Sequence, residues 1–424
     1  EMSASLVGSE MCIRDSRFYD LWASTAAKDK ELFHEFCRFV IGNPLRQQPA
    51  ASGKPAAEQG YRTTGIQDLA LIYQGGSHRL DWTVDEFRPY VVHRFADGSK
   101  DWLFDGFLFL EFKDGSGRNY TVGYEKLNAR RTEWEWLLDR IFEQGKSLSA
   151  LDRCIGQEIK ELGKPAFRHQ IVLGLPEAIR GQKDWGEIDG REMDFSKEED
   201  QIAATKWYIG ELVERFKAAK YKHLELSGFY WVAEDTHHCA ELTIPLSEYI
   251  HSEGKLFYWI PYWQAKGHEE WKRLGFDVAY QQPNHFFNHS IPDSRLDEAC
   301  ATARRHGMAM EFEFDEKATA AIPNSSHDRM AAYINHFEKN DVFNSSAVAY
   351  YCGNRGVLTL DESDNPKDKA LMDRLARIIQ ARRYLKYGIP MKNKTRVVAH
   401  RGFWHTDGSA QNSIASLLKA DQLG

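Results

Sequence analysis

The chain has 424 residues, of which 42% are hydrophobic and 28% charged, as in ordinary globular proteins that bury one large core or several smaller ones. A formal net charge of −7, without any lysine or arginine run, argues against a nucleic-acid partner. No run of about 20 apolar residues is present, so we expect no membrane span. The six cysteines lack metal-ligand spacing and are expected to be mostly buried thiols without a disulfide framework.

Residues 1–60 are predicted to precede the main domain. Glu1–Ser16 looks like translated sequencing-adapter sequence, and we exclude it from fold reasoning as a non-native segment. A signal peptide could have been lost with it. Within residues 17–60, an apolar stripe predicts a helix over Arg17–Ile41, and the Pro-, Gly- and Ala-rich stretch Gly42–Gly60 predicts a linker.

Residues 61–385 alternate between strand and helix patterns. The predicted strands are Asp68–Tyr73, Trp102–Phe112, His169–Leu175, His223–Trp231, Leu256–Tyr262, Asp277–Gln281, Met308–Phe314 and Ala347–Tyr351. The predicted helices are Thr132–Gly145, Ile155–Leu162, Lys197–Lys220, Leu246–Gly254, Glu269–Leu274, Arg295–His306, His327–Lys339 and Pro366–Tyr384. This alternation predicts an α/β fold, a (β/α)8 TIM barrel.

Two features of this region need a separate interpretation. Tyr90–Phe95 is assigned to an extra hairpin strand after strand one. A doubly wound open sheet is the structural alternative, but Tyr73–Gly76 (YQGG) is too short for a dinucleotide-binding glycine loop. The barrel is therefore favoured.

The stretch His223–Asp235 (HLELSGFYWVAED) is the first candidate for a functional strand. Its alternation predicts that Leu224 and Leu226 face the helices. The interior face would then carry Glu225, Ser227, Phe229 and Trp231. Glu234 would lie just past the carboxyl end of the strand, where barrel enzymes keep their active sites.

Strand seven carries the second group of carboxylates. In MEFEFD the Met and Phe residues are predicted to face the helices, while Glu311, Glu313 and Asp315 line the interior. Charged side chains on an inward face are costly unless they are paired or functional. An ion pair with an interior arginine or lysine is the structural alternative for one of them.

Two carboxylates facing each other across a pocket with aromatic platforms are what glycoside hydrolysis requires. Sugars stack on Trp and Tyr, and Gln, Asn and His side chains bind their hydroxyls. The candidates for substrate binding are Tyr230, Trp231, Trp259, Tyr262, Trp263, Gln281, Asn284 and His285. For any single aromatic, core packing is the alternative. His237–His238 cannot close a metal site alone, so we expect neither metal nor cofactor in the barrel.

Five stretches, LALIYQGG, WLFDGFLFLEF, HLELSGFYWVAED, LFYWIPYW and MEFEFD, resemble the Bacteroides-type "domain of unknown function 4855" family. The resemblance covers about residues 67–384. It implies a glycosidase-like barrel of unsettled activity with a glycan or other carbohydrate as substrate. It also implies a periplasmic or secreted location, with the cytoplasm as the alternative.

Barrel glycosidases of the largest clan place the acid/base after strand four and the nucleophile at the end of strand seven. Carried over, this implies Glu234 as acid/base and Glu313 as nucleophile, with Glu311 one layer deeper. Ala233 stands where the clan usually has Asn, which leaves Glu225 as a competitor for the acid.

The tail, Thr395–Gly424, is similar to the opening of glycerophosphodiester phosphodiesterases, with residues 386–394 as linker. The matching residues are His400, Arg401, Gln411 and Asn412. In that family a Glu before the Asn binds a divalent metal, and the neutral amide here is a poorer ligand. Because the similarity stops after one strand and one helix, we expect an incomplete, inactive fragment that would need a metal only as a complete domain. The alternative is a βα unit that finishes the first barrel.

Three functions remain open from the sequence. The first is a retaining or inverting glycosidase that uses carboxylates after strands four and seven. The second is a non-catalytic glycan-binding barrel whose carboxylates are consumed by salt bridges. The third is the front part of a longer glycerophosphodiester phosphodiesterase fusion.

Overall fold

The computed structural model describes residues 64–237, 239–387 and 389. The sequence predictions for 1–16, 17–60 and 395–424, and for most of the 386–394 linker, lie outside the described residues. The chain divides into two compact units, one spanning Ala50–Gln380 and one made of Glu1–Pro49 with Ala381–Gly424. The barrel described below lies in the first unit.

Eight parallel strands close into a barrel in sequence order. They are β1 (Asp68–Tyr73), β2 (Gly106–Leu110), β3 (His169–Leu175), β4 (Leu224–Trp231), β5 (Leu256–Trp259), β6 (Val278–Gln281), β7 (Ala309–Glu313) and β8 (Val348–Tyr351). The closure is a parallel pairing of β8 with β1, in which Val348 lies opposite Asp68. The predicted (β/α)8 barrel is confirmed.

Helices follow the strands on the outside of the barrel. They are α1 (Val84–Val91), α2 (Arg131–Ile141), α3 (Ser147–Leu162), α4 (Glu198–Ala219), α5 (Ala240–Ser252), α6 (Ser294–His306), α7 (His327–Lys339), α8 (Val342–Ser345), α9 (Gly356–Asp361) and α10 (Pro366–Lys386). Three pairs of short strands lie in the connections outside the barrel sheet: Val92–Arg94 with Lys100–Trp102, Arg118–Asn119 with Leu127–Asn128, and Glu187–Ile188 with Arg191–Glu192.

Two predicted elements needed correction. The region predicted as an extra hairpin strand, Tyr90–Phe95, begins inside α1 and becomes a strand only at Val92–Arg94. A capping box fixes the start of α1, because the Glu86 carboxylate accepts a hydrogen bond from the Thr83 N–H at 2.9 Å. The predicted helix Glu269–Leu274 is wrong: the segment between β5 and β6 holds a single 3-10 turn, His268–Glu270.

The apolar residues form two layers. The layer between strands and helices includes Met310 and Phe312, as the alternation of β7 predicts. The barrel interior is filled by Leu69, Leu71, Tyr73, Leu108, Leu110, Val172, Tyr230, Tyr258, Val278, Tyr280, Ala309 and Ala349, among others. Glu311 pairs in register with Ala349, so its side chain shares this interior face.

A bulge in β4 reverses the predicted faces of the strand beyond Ser227, whereas Leu224 and Leu226 face the helices as predicted. Its register against β3 shifts between Leu226 and Gly228, so Ser227 is an extra residue. Beyond the bulge Tyr230 faces the interior, whereas Phe229 and Trp231 pack toward the helices. The prediction that Phe229 and Trp231 line the interior is therefore wrong. Gly228 is required because a Cβ there would lie 2.0 Å from the Leu256 carbonyl oxygen.

Candidate active site

The carboxyl ends of the strands form the mouth of the barrel, and Glu313 lies there at the end of β7. Its side chain is buried, and its Oε2 accepts hydrogen bonds from the Tyr333 hydroxyl and, at 3.2 Å, from the His285 backbone N–H. Burial raises the pKa of Glu313 to about 7, although these two hydrogen bonds favour the ionised form and act in the opposite direction. Glu313 is thus a carboxyl group that titrates near neutral pH.

Glu234 follows β4 and is held by a chain of amide side chains. The Gln282 side-chain amide donates to Glu234 Oε1 at 2.8 Å, and Asn284 Nδ2 donates to the side-chain oxygen Oε1 of Gln282 at 2.9 Å. Asn284 adopts a left-handed backbone conformation with φ +48°. Burial raises the pKa of Glu234, with a further increase from the charge of Asp235. This carboxyl group therefore holds a proton more firmly than an exposed glutamate.

Glu311 lies one layer below Glu313 on the interior face of β7. It is 2% exposed, and no group of the described residues forms a hydrogen bond with its carboxyl group. Burial raises its pKa well above the usual value, and the nearby charges of Glu313 and Glu234 raise it further. Glu311 and Glu313 share β7, and two residues of one loop, Gln282 and His285, contact Glu234 and Glu313, so the three carboxyl groups lie together at the mouth.

One loop holds both outer carboxylates. Residues 282–293, between β6 and α6, supply the Gln282 amide to Glu234 and the His285 N–H to Glu313. The buried Arg329 on α7 clamps this loop, donating to backbone carbonyls of His285, Asn288 and Ile291 at 3.1, 3.0 and 3.1 Å. A fixed loop of this kind pre-organises the two carboxylates relative to each other.

A different carboxylate lies at the end of β2. Glu111 is 3% exposed and receives Arg79 in a two-point contact of 2.8 and 2.9 Å. It also accepts the backbone N–H groups of Gly76 and Phe112 at 3.0 and 2.9 Å. The Arg79 guanidinium lies 4.6 Å from the centre of the Tyr73 ring. Each oxygen of this carboxylate therefore already accepts two hydrogen bonds from groups of the protein itself.

Aromatic side chains form a continuous arc on one side of the mouth. Tyr124 stacks on Phe112, with ring centres 4.7 Å apart and planes 15° apart. Tyr73 then contacts Phe112 edge-on at 5.6 Å, Tyr351 contacts Tyr73 at 5.5 Å, and Phe287 contacts Tyr351 at 5.3 Å. Tyr124 and Phe287, at the two ends, are 43% and 50% exposed. Exposed rings beside carboxyl groups suit the stacking of a sugar face.

The structure brings together only some of the predicted site residues. Glu234, Glu311, Glu313 and Tyr230 meet at the mouth. Glu225 does not: it is exposed near the amino end of β4, where its carboxylate accepts from the Gln170 amide at 3.3 Å. Asp315 caps the 3-10 turn Glu316–Ala318 by accepting from the Lys317 N–H at 2.7 Å.

Several predicted sugar-binding side chains face away from the mouth. Trp231 and Trp259 lie in the layer between strands and helices, where the Trp259 indole N–H donates to the Ala233 carbonyl at 2.8 Å. Gln281 pairs with Met310 on the outward face of β6. The His285 ring is fully buried against Asp293, 2.8 Å away, and burial lowers its pKa to about 4.

Two predicted aromatics lie at the edge of the mouth. Tyr262 is 37% exposed, and its hydroxyl donates to Asp235 at 3.0 Å. Trp263 is half-buried, with the Arg295 guanidinium 4.8 Å from its ring centre, and its backbone N–H donates to the Asn284 side chain.

The site contains residues that were not predicted from the sequence: Gln282, Tyr333 and Arg329, and the aromatic arc of Tyr73, Phe112, Tyr124, Phe287 and Tyr351. Gln282 differs from the predicted Gln281 by one position, which is the difference between the two faces of a strand. Tyr333 and Arg329 lie on α7, and they contact Glu313 and the 282–293 loop only because folding brings α7 against the mouth. Their pattern in the sequence is that of an ordinary amphipathic helix.

Within residues 64–237, 239–387 and 389, no group of three or more His, Cys, Asp or Glu side chains is arranged to hold a metal ion; His238 lies outside these ranges. No helix of this part of the chain is long and apolar enough to cross a bilayer. Cys154, Cys239, Cys300 and Cys352 are buried free thiols.

Comparison with solved structures gave low-identity matches. A candidate α-L-fucosidase from Bacteroides thetaiotaomicron has 13% identity and a TM-score of 0.39, covering 79% of this chain and 98% of the other. An endo-β-1,4-glucanase from Bacillus licheniformis has 13% identity and a TM-score of 0.40, covering 78% and 61%. An endo-β-1,4-mannanase from Cellulomonas fimi has 13% identity and a TM-score of 0.39, covering 77% and 75%.

Comparison with sequences identified the family. No curated protein matches the chain. Nothing in the comparisons supports a phosphodiesterase domain over residues 395–424. The family model described as "Domain of unknown function (DUF4855)" matches residues 68–377, which is most of the chain and the whole of the barrel. The chain therefore belongs to the DUF4855 family.

Proposed function

We propose that the barrel is a glycoside hydrolase in which Glu234 is the acid/base and Glu313 the nucleophile. The observation that carries this proposal is the cluster of buried carboxyl groups at the strand ends. Within the described residues, Glu234, Glu311 and Glu313 form no salt bridge with any lysine or arginine, whereas Glu111 at the same end of the barrel does. Buried carboxyl groups without a cation are costly to a fold, and such groups concentrate at active sites.

The environments of the two carboxyl groups suit two different roles. Glu234 has a raised pKa and a single amide donor on Oε1, so it can carry a proton for the leaving oxygen. Glu313 receives donors on Oε2 from Tyr333 and His285, which steady a negative charge. Its Oε1 would then attack the anomeric carbon while the glycosidic bond breaks and Glu234 gives its proton to the departing oxygen. Water would hydrolyse the resulting glycosyl–enzyme ester as the ionised Glu234 removes a proton from that water.

A glycan-binding barrel without catalysis is the competing proposal from the sequence. It requires carboxylates that are neutralised by cations. Arg79 and Glu111 have that arrangement, but the other three carboxyl groups do not. The enzyme is therefore the better supported of the two.

Aryl glycosides with different leaving groups test the assignment. We would screen 2,4-dinitrophenyl and 4-methylumbelliferyl glycosides of common hexoses, pentoses and 6-deoxyhexoses, in both anomers. Glu234→Gln should reduce kcat by about 10²–10⁴-fold for poor leaving groups. It should have little effect on formation of the glycosyl enzyme from dinitrophenyl glycosides, because dinitrophenolate leaves without a proton.

The stereochemistry of the first product completes the test. Retention, followed by NMR, together with a 2-deoxy-2-fluoro sugar trapped on Glu313, would support the nucleophile assignment. Inversion would instead make Glu313 the base that activates water. Equal loss for all leaving groups in Glu234→Gln, or no hydrolysis across the panel, would contradict the proposed roles.

A further inference from the structure

The floor of the mouth contains polar groups that the proposed mechanism does not use. The Glu311 carboxyl and the hydroxyls of Tyr73, Tyr230 and Tyr351 have no hydrogen-bond partner within the described residues. Glu311, Tyr73 and Tyr230 are only 2%, 4% and 1% exposed. Below we call these four side chains the floor cluster.

The four groups converge on one place. Tyr73 and Tyr351 are in edge-to-face contact at 5.5 Å. The charge of Glu311 acts on all three phenols, and that of Glu234 acts on Tyr73 and Tyr230. Tyr73, Tyr230 and Tyr351 pack in the same interior layer of the barrel, and Glu311 lies on the interior face of β7 two residues before Glu313, so the cluster lies in the barrel interior next to the proposed catalytic pair.

The polar atoms of the floor cluster are not completely sealed in the core. The hydroxyl of Tyr280, also on the interior face of the barrel, is sealed in the core without a partner, but none of the floor-cluster atoms is sealed in this way. A polar group near the protein interior that has no protein partner needs one from water or a ligand. Four such groups around one point form a ready set of donors and acceptors.

The charges around the floor cluster restrict what it can bind. The cation next to it, Arg79, is already engaged by Glu111 at 2.8 and 2.9 Å. The other charged groups acting on the cluster's tyrosines are Glu234, Asp315 and Glu316. Among the described residues, the cluster thus offers an anionic sugar acidic neighbours and no cation that is not already engaged, and this disfavours its binding.

We propose that the floor cluster is the recognition site for the hydroxyl groups of an uncharged sugar unit, and that it discriminates against uronic acids. The proposal rests on the proposed glycosidase function and adds the substrate class. Glu311 donates and accepts hydrogen bonds as a neutral acid, and the three phenols complete the contacts with neighbouring hydroxyls.

Binding measurements test this independently of hydrolysis. Methyl glycosides of glucose, galactose, mannose and fucose, and of glucuronic and galacturonic acid, would be titrated into the full-length protein by calorimetry or ligand-detected NMR. At least one neutral glycoside should bind, and its uronic acid counterpart should bind about tenfold more weakly.

Variants identify the groups responsible. Glu311→Met and Tyr230→Phe should each weaken binding of the neutral glycoside by about threefold to tenfold, the effect of one lost hydrogen bond. Glu311→Gln should retain most of the binding, because the amide still donates and accepts. Tyr280→Phe is the matched control, since it removes a sealed interior hydroxyl, and it should bind like the wild type. Thermal unfolding would confirm that each variant is folded.

The outcomes separate the two proposals. Unchanged binding in Glu311→Met and Tyr230→Phe, tighter binding of uronic acids, or no binding of any neutral glycoside would overturn the floor-cluster proposal. If aryl glycosides are still hydrolysed in that case, the proposed glycosidase stands without it. If binding depends on the floor cluster but no glycoside is hydrolysed, the recognition site stands and the proposed catalysis fails.

Discussion

Glu111 and Glu313 are two buried carboxylates at the same end of one barrel, but only Glu111 is paired with a cation. Glu111 accepts two hydrogen bonds from Arg79 and two from backbone N–H groups. Glu313 receives a phenol and a backbone N–H, with no cation. Their exposures, 3% and 2%, are nearly equal, so burial does not explain the difference.

The difference shows how partners decide the role of a buried acid. A carboxylate that is paired with a guanidinium and saturated with donors has no lone pair left for a substrate, and removing it leaves a charge unpaired. A carboxyl group steadied only by neutral donors keeps a pKa near neutrality and remains available for chemistry. The mouth of the barrel thus has a structural half around Glu111 and Arg79 and a functional half around Glu313.

Removal of Glu111 should give the largest loss of stability. Glu111→Gln should lower the free energy of unfolding by about 3 kcal/mol, because the partly buried Arg79 loses its partner. Denaturant unfolding of Glu111→Gln beside Glu313→Gln measures the contrast, and Glu313→Gln should be destabilised far less. In the double variant Glu111→Leu/Arg79→Met the loss should be smaller than the sum of the single losses. Equal losses of unfolding free energy in the Glu111 and Glu313 variants would contradict the contrast between the two carboxylates.

Arg329 should affect catalysis through the 282–293 loop. Arg329→Met removes hydrogen bonds to three backbone carbonyls, and the loop would then position Gln282 and His285 less well. We expect kcat to fall by about 10–100-fold with a smaller change in KM. Arg295→Met is the matched control, because Arg295 makes one long contact of 3.4 Å to the same loop. Hydrogen exchange should speed up in 282–293 only in the Arg329 variant; protection equal to the wild type would contradict the clamp.

The pH profile should report the hydrogen bond from Tyr333. Catalysis needs ionised Glu313, so kcat/KM should rise with pH through its pKa of about 7. The Tyr333 hydroxyl stabilises the ionised form, and its removal in Tyr333→Phe should therefore move the acidic limb upward by about one pH unit. Tyr208→Phe, which removes a buried, unpartnered hydroxyl on α4, should leave the limb in place. A downward shift in Tyr333→Phe would show that the donor assignment is wrong.

The smallest effect should distinguish two neighbouring glutamines. Gln282→Met removes the donor to Glu234 and should lower kcat about threefold to tenfold. The loss of this donor should also raise the pKa of Glu234 and move the alkaline limb of the profile to higher pH. Gln281→Met, on the outward face, should change kcat by less than about twofold. If the Gln281 variant had the larger effect, the register of β6 described above would be wrong.

The barrel itself could be predicted from the sequence because the pattern of a strand followed by a helix repeats along the chain. All eight strands lie within or at the predicted ranges, and β1 and β3 have the predicted bounds. In β7 the alternation of Met and Phe with Glu is unbroken, so Met310 and Phe312 were assigned to the correct face. Strand position and face are both readable where the period of two continues without interruption.

The faces of β4 and β6 could not be predicted in the same way. One extra residue at Ser227 moves Tyr230 inward and Trp231 outward, and a shift of one residue exchanges every later side chain. Gly228 was a usable signal, because an isolated glycine inside a strand often marks a bulge. No local pattern could have linked Tyr333 or Arg329 to the mouth, since their partners lie 20 and 44 positions away in sequence.

The most direct test of the central claim is the hydrolysis rate of Glu313→Gln beside that of Glu111→Gln, on whichever aryl glycoside the wild type cleaves. We expect Glu313→Gln to remain folded and to lose at least about 10⁴-fold in kcat/KM. Glu111→Gln, measured below its lowered unfolding temperature, should keep most of its activity. Near-normal hydrolysis by Glu313→Gln, or an equal loss in both variants, would contradict the division of this barrel mouth into a structural and a functional half.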